Sequence, residues 1–327
     1  MTRTALASRA TAPRRRILRA ASCALLLTAA THAASDETVA LTRPEDVGVS
    51  TERLERVTAA MQRYVDAGNL PGVVTLIARR GKIVHFGAVG SRNVAANAPM
   101  TRDTIFRLYS QSKPVTAAAV MVLFEEGKFL LTDPVAKYLP EFADMKVYVG
   151  EENGQIKTEP AGPITIQHLL THTAGFTYDF FPTPVGRMYG PAGTSGAAPQ
   201  SKLGSLAEWT KELAKLPLIA QPGSDWNYSV SIDVLGRLVE VTSGMSFRDF
   251  LRARIFQPLG MKDTDFYVPD DKLARFAANY SPAPGGKMTL ADDPEKSPYR
   301  KLPKIEMGGS GLVGTAGDYF RFAQMLA

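Results

Sequence analysis

The chain has 327 residues, of which 45% are hydrophobic and 21% are charged, a composition that excludes a disordered or collagen-like protein. Its formal charge of +6 comes from the N-terminus: six arginines lie before residue 35 with no acidic residue among them, and the remaining 32 basic residues balance 32 acidic ones. Without that segment the chain is neutral, so we expect no nucleic-acid partner.

The first 34 residues predict a signal peptide. Arginines 14–16 precede an apolar run that includes leucines 25–27, and small residues follow at Ala33 and Ala34, near which we expect cleavage. The protein is therefore predicted to be exported, periplasmic or secreted, by either the general secretory or the twin-arginine route. The apolar run is shorter than the roughly 20 residues that cross a bilayer, and no later run is long enough, so no stable membrane span is expected.

Cysteine and histidine usage argues against a metal site. The single cysteine, Cys23, lies inside the predicted signal, so the mature protein would have no disulfide, thiolate ligand or cysteine nucleophile. Of the four histidines, only His168 and His172 have helical spacing, and neither has an acidic or third histidine partner nearby in sequence. We interpret both as structural residues and expect no metal or organic cofactor.

Local patterns predict a helix, then a hairpin, then a mainly helical region. Apolar residues recur at helical spacing between a possible N-cap at Ser50 and a stop at Gly68, and runs 73–78 and 83–86 predict two antiparallel strands. Further helices are predicted at 115–126, 164–170, 206–216, 232–242 and 247–256. Segments 181–205 and 282–298, rich in proline, glycine and small residues, predict long surface loops, and the first is equally compatible with a plain connection or a binding rim.

Ser110 and Lys113 form a candidate catalytic pair. Residues three apart on a helix project from the same face, so the Lys113 amine can reach the Ser110 hydroxyl and help to remove its proton. Ser110 also precedes an apolar helix, whose N-terminus favours a developing oxyanion. The bare S-x-x-K pattern occurs about once by chance in a chain of this length, and an exposed capping serine beside a surface lysine would also explain it.

Six segments around this pair share one pattern in a fixed order. They are IFRLYSQSKPVT (105–116), LTDPV (131–135), LLTHTAG (169–175), PG (222–223) leading to YS (228–229), PLGM (258–261), and GGSGL (308–312) followed by AGD (316–318). Together, from residue 47 to the last, they resemble the serine β-lactamase and penicillin-binding-protein-like superfamily, and are most similar to class C β-lactamases and related esterases.

The resemblance implies a catalytic role for Tyr228. In this superfamily the second motif is a tyrosine followed two residues later by asparagine or a small or apolar residue, which here are Tyr228 and Val230. A tyrosine is a poor base unless a nearby cation stabilises its phenolate, and Lys113 would be that cation. Val230 removes a side-chain amide from the site, which favours an esterase over a β-lactamase. A buried tyrosine with a hydrogen-bonded hydroxyl stays open as a structural explanation.

The fold implied is α+β: an antiparallel sheet flanked by helices, with a mainly helical region at about 105–260 and the active site between them. Residues 35–327 would form one β-lactamase-like serine hydrolase domain. We predict Tyr109, Tyr178 and Phe181 as substrate-binding residues, the last two because the aromatic run 178–181 could line an apolar acyl pocket.

One element of the superfamily pattern is missing. Its third motif, Lys, His or Trp followed by any residue and Gly, lies on a late strand that also provides one of two backbone oxyanion donors. No such strand is predicted after Gly311, and the chain ends inside an apolar helical pattern at 319–326. We therefore expect a C-terminally truncated fragment that lacks its closing strands, in which the oxyanion hole would be incomplete and activity uncertain.

Two classes of function follow. The first is an exported serine hydrolase that forms an acyl-enzyme on Ser110, with a carboxylesterase acting on small esters favoured over a β-lactamase or a D-amino-acid peptidase or acyltransferase. The second is a non-catalytic ligand-binding or cell-wall-interacting protein. The expected partner is a small ester or amide substrate, and the sequence leaves the oligomeric state open.

Overall fold

Helices and short antiparallel strands alternate along residues 40–192, 194 and 203–327, the part of the chain that this computed structural model describes. All of these residues belong to one compact unit, Val39–Ala327. The helices there are α1 Thr51–Asp66, α2 Ser112–Glu125, α3 Ile166–Leu170, α4 Gly186–Tyr189, α5 Leu206–Leu213, α6 Ser231–Ser243, α7 Phe247–Leu251, α8 Gln257–Leu259 and α9 Ala316–Leu326. The strands are β1 Gly72–Arg79, β2 Lys82–Asn93, β3 Ala98–Pro99, β4 Phe106–Arg107, β5 Lys146–Glu152, β6 Gln155–Pro160, β7 Asn279–Ala283, β8 Lys287–Asp292 and β9 Val313–Gly314.

The N-terminal part confirms the predicted helix and hairpin. The Ser50 hydroxyl accepts a hydrogen bond from the Arg53 N–H, which caps α1, and the chain leaves the helix at Gly68 with φ +74°. Strands β1 and β2 pair antiparallel, with Thr75 opposite Gly87, and β3 adds a short third strand beside β2. Helix α1 packs on β2, so its apolar face covers one side of this sheet.

The main hydrophobic core lies in the helical region. Helix α2 is apolar on most sides and packs against α6, and its Val115, Ala119 and Leu123 are fully buried. Helix α5 adds Trp209 and α7 adds Phe247 to the same core. Because α2 is buried in this core along most of its length, its N-terminus, next to Ser110, has a rigid support.

Two hairpins correct the predicted element pattern. Strands β5 and β6 interrupt the region predicted as mainly helical, and β8 with the last two residues of β7 lies within 282–298, which was predicted to be a surface loop. The first hairpin carries many exposed polar side chains, so it shows little of the apolar alternation that makes a strand visible in sequence, and Pro282 inside β7 is typical of a loop. Within the other predicted loop, 181–205, the structure has the short helix α4, while residues 193 and 195–202 lie outside the described residues.

Three further predictions concern the signal peptide, a membrane span and the strand after Gly311. The predicted signal peptide, residues 1–34, lies outside the described residues. Within the described ranges, no helix is both long and apolar enough to cross a membrane. After Gly311 the described chain contains β9, a two-residue strand paired with β4, followed by α9.

The architecture is thus α+β, with small antiparallel sheets and a helical core, as the sequence predicts. Strand β4 leads directly into the Ser110 segment, and its partner β9 follows the glycine-rich segment 308–312. The Leu108 N–H donates to the Leu312 carbonyl at 2.8 Å, which extends this pairing towards Ser110. The short β4–β9 ladder therefore fixes the glycine-rich segment beside the start of α2.

Candidate active site

The Ser110 hydroxyl lies at the entrance to α2, in a single 3₁₀ turn formed by Tyr109–Gln111. Ser110 is exposed, whereas the neighbouring Lys113 is partly buried, and the Lys113 ammonium donates to Ser110 Oγ at 3.1 Å. The predicted Ser110–Lys113 contact is therefore present. An accessible hydroxyl held by a shielded cation suits a nucleophile that must meet a substrate from solvent.

Tyr228 completes a three-residue cluster. Its hydroxyl donates to Ser110 Oγ at 2.6 Å, although 118 residues separate the two in sequence. The Lys113 Nζ lies 4.7 Å from the centre of the Tyr228 ring, so the cation also contacts the tyrosine face. The structure thus brings together all three residues that the sequence predicted to be catalytic.

Backbone strain occurs immediately before the serine. Tyr109 has φ +45°, in the left-handed region that a bulky side chain seldom adopts. Its hydroxyl accepts a hydrogen bond from Asn279 Nδ2 of β7 at 2.9 Å, so the corrected hairpin helps to hold this turn. Tyr109, predicted to bind substrate, is 46% exposed and directly precedes Ser110 in the chain.

The glycine-rich segment forms the wall opposite Tyr228. Lys113 donates a second hydrogen bond to the Gly309 carbonyl at 2.8 Å, and the Gly309 N–H donates to Asp233 Oδ1 at 2.6 Å. The Thr116 hydroxyl of α2 donates to the Gly308 carbonyl at 2.7 Å. A Cβ atom at Gly308 would lie 2.8 Å from the Ile232 carbonyl oxygen, so only glycine lets the segment approach α6 this closely.

A row of aromatic rings extends from Tyr228, beside Ser110, to the surface on both sides. Tyr228 contacts Tyr178 at a centroid distance of 5.3 Å and Trp226 at 6.2 Å, and Tyr178 stacks on Phe180 at 4.8 Å. The two outer rings are largely exposed, Phe180 by 64% and Trp226 by 66%. We call these four residues the aromatic row.

The remaining predicted substrate-binding residues occupy different places relative to this row. Tyr178 is buried in its middle, and Phe181 reaches it through Phe180, whose ring centre lies 4.8 Å away. Burial raises the pKa of Tyr178 well above its ordinary value, and the negative charge of Asp233 adds to the effect. Tyr178 therefore stays protonated, and the tyrosine whose hydroxyl contacts Ser110 Oγ is Tyr228.

His172 is a site residue that the sequence analysis assigned a structural role only. Its ring lies 5.0 Å from that of Tyr228 and 6.2 Å from that of Trp226, and its Nδ1 is 3.3 Å from Ser229 Oγ. Burial lowers the pKa of His172 to about 4, and the nearby Lys113 charge acts in the same direction. The imidazole is therefore neutral at physiological pH and supports Tyr228 without adding a second positive charge.

Asp233 was also missed by the sequence analysis. It lies on α6, is fully buried, and contacts the active-site wall through Gly309. An aspartate on the otherwise apolar inner face of a helix was the available signal, because a buried carboxylate needs a nearby donor or cation. Among the described residues no cluster of three or more His, Cys, Asp or Glu side chains could hold a metal ion.

Comparison with known proteins places this geometry in a family. The Beta-lactamase family model matches residues 57–327. The chain belongs to the Beta-lactamase family. The resemblance inferred from the six sequence segments is thereby confirmed.

Three relatives are similar over most of the chain. An uncharacterized protein of Mycobacterium tuberculosis is 37% identical over 82% of this chain, which spans 65% of that relative's length. Esterase EstB of Burkholderia gladioli is 33% identical over 81% of this chain and 68% of its own. The solved structure of EstCE1, described as a hydrolase with promiscuous acyltransferase activity, matches with a TM-score of 0.71 and 32% identity over 83% of this chain and 71% of that one.

The electrostatic contact between Lys113 and His172 can be measured directly. Replacing Lys113 with methionine should raise the His172 pKa from about 4 towards its ordinary 6.5, because the variant removes a repelling positive charge but keeps the burial. The pKa of His168, lowered by burial alone, should not move and serves as the internal control. Titration of the histidine ring protons by NMR tests this, and an unchanged His172 pKa would contradict the proposed arrangement of charges.

Proposed function

We propose that the protein is a serine hydrolase of the esterase type that forms an acyl-enzyme on Ser110. The observation that carries this proposal is the pair of hydrogen bonds on Ser110 Oγ, donated by Lys113 at 3.1 Å and by Tyr228 at 2.6 Å. A serine hydroxyl is a weak nucleophile at neutral pH and needs a base within hydrogen-bond reach. Both candidate proton carriers are at that distance.

The reaction proceeds by acyl transfer in two steps. Before the attack, the Tyr228–Lys113 pair is in its basic form, with Tyr228 as phenolate. Ser110 Oγ then attacks the substrate carbonyl carbon while its proton passes to this pair. The same proton then goes to the leaving alcohol as the ester bond breaks. Water next attacks the acyl-enzyme, gives up a proton to the pair, and releases the acid and the free serine. Lys113, held between Ser110 and Gly309, stabilises the negative charge that develops on Tyr228.

Two observations favour an ester over a β-lactam. Val230 is fully buried at the start of α6, so the position two residues after Tyr228 offers the substrate no side-chain amide. The names of similar proteins point the same way, since one is an esterase and another a hydrolase with acyltransferase activity. An alcohol in place of water at the second step would make the reaction an acyl transfer.

We also propose that the protein is exported, on the strength of residues 1–34 alone.

Activity measurements on variants of the chain test the nucleophile. Ser110→Ala should lower kcat/KM for p-nitrophenyl butyrate by about a thousandfold or more, and Tyr228→Phe by about a hundredfold. Ser243→Ala, at the far end of α6, is the matched serine control and should keep full activity. Full activity in Ser110→Ala would refute the proposal, and faster turnover of nitrocefin than of the ester would identify a β-lactamase instead.

The aromatic row supplies an apolar surface for the substrate. Its exposed ends are Trp226, which contacts Tyr228 directly, and Phe180, which reaches Tyr228 through Tyr178. The Tyr228 hydroxyl contacts the nucleophile. Burial of each additional methylene of an acyl or alcohol chain on such a surface contributes about 0.8 kcal/mol. We therefore propose esters with short apolar chains as substrates.

The preference for longer over shorter acyl chains tests whether the aromatic row binds the substrate. In Trp226→Ala and Phe180→Ala, the preference for p-nitrophenyl butyrate over p-nitrophenyl acetate in kcat/KM should fall by about threefold to tenfold. Leu130→Ala, which removes a side chain of similar exposure (62%) remote in sequence from these rings, is the control and should leave the preference unchanged. An equal effect in all three variants, or none in the aromatic ones, would contradict the assignment.

A further inference from the structure

Asp233 is a buried carboxylate that the mechanism above does not use. It is fully buried on α6, and Oδ1 accepts the Gly309 N–H at 2.6 Å. Its other oxygen, Oδ2, is buried without a hydrogen-bond partner among the described residues. A buried carboxylate with an unpaired oxygen is costly, so its presence at this point calls for a role other than stability.

Gly309 connects Asp233 to the catalytic lysine. The glycine is fixed at its N–H by Asp233 and at its carbonyl by Lys113, whose ammonium also donates to Ser110 Oγ. A Cβ atom at this position would lie 2.7 Å from Asp233 Oδ2, so the carboxylate packs directly against the glycine backbone. Asp233 therefore determines where the Gly309 carbonyl points, and that carbonyl determines where the lysine points.

We propose that Asp233 is a positioning residue: it fixes the Gly309 peptide and supplies the negative charge that balances Lys113, so that the ammonium stays directed at Ser110. This inference rests on the proposed function. It assigns to one side chain both a geometric and an electrostatic effect, and these can be separated experimentally.

The groups around Asp233 determine how its charge responds to pH. Helix α2 contributes the Lys113 cation, and the segment after α3 contributes Tyr178, which stays neutral. Burial raises the pKa of Asp233 to about 6, while the Gly309 hydrogen bond and the Lys113 charge act against it. Asp233 is therefore negative above about pH 6, where it balances Lys113, and loses this charge below.

Asp233→Asn is the test, because an amide oxygen can still accept the Gly309 N–H while the charge is lost. We expect kcat for p-nitrophenyl butyrate to fall by about tenfold or more with little change in KM, since the lysine loses the negative charge that balances it. The acid limb of the kcat/KM profile should move to lower pH by about one unit or vanish, because removing a negative charge makes it harder for the site to take up a proton.

Asp318→Asn is the matched control. Asp318 is also a buried carboxylate, with Oδ2 bonded to the Asp263 N–H at 2.7 Å and the Thr264 hydroxyl at 2.9 Å, at the start of α9. This variant should lower the unfolding midpoint and leave the pH profile of the enzyme in place. A purely structural role for Asp233 would give the same result in both variants and would overturn the proposal.

Gly309→Ala provides a second test if Asp233→Asn fails to fold. Its methyl group displaces the carboxylate from the glycine while the charge remains, so kcat should fall. Loss of the Gly309 hydrogen bond, which lowers the pKa of Asp233, should move the acid limb to higher pH, opposite to the shift expected for Asp233→Asn. Unchanged kcat in this variant would contradict the geometric effect. If the unsubstituted protein hydrolyses no ester, the proposed function is refuted. If it is active and Asp233→Asn has the same kcat and the same pH profile, only the inference about Asp233 is refuted.

Discussion

The site depends on how one ammonium group is held. Lys113 donates to Ser110 Oγ and to the Gly309 carbonyl, and it lies against the face of the Tyr228 ring. These contacts join three separate parts of the chain: the start of α2, the glycine-rich segment after residue 307, and the segment before α6. The packing of α2 on α6 holds the start of α2 near the segment before α6, and the pairing of β4 with β9 holds the glycine-rich segment beside the start of α2.

The charges around the lysine are arranged so that few of them vary near neutral pH. His172 is kept neutral by burial and by the lysine itself, and Tyr178 is kept protonated by burial. Around Ser110 the site therefore has one lysine, one buried carboxylate and one tyrosine whose hydroxyl contacts the serine. Such neighbours suit the activation of a serine, whose hydroxyl is a weak nucleophile at neutral pH.

The sequence predicted the three residues that meet at Ser110 Oγ better than their surroundings, for a physical reason. Ser110 and Lys113 were found from local helix geometry, and Tyr228 was found from a motif. None of the three required knowledge of a long-range contact. Asp233 and His172 acquire their roles only through burial and through contacts with segments distant in sequence. The hairpin β7–β8 was missed because Pro282 stands inside β7, and proline in a strand is a signal for a loop, although the hairpin holds Tyr109 in its strained conformation through Asn279.

The most direct test of the central claim is to identify the residue that becomes acylated. The chain is mixed with p-nitrophenyl butyrate, quenched in acid within the first turnovers, digested, and analysed by mass spectrometry for a butyryl group. We expect a single modified peptide with the group on Ser110, and less of it in Tyr228→Phe. A butyryl group on another residue, or rapid ester hydrolysis with no acylated serine, would show that Ser110 is not the nucleophile.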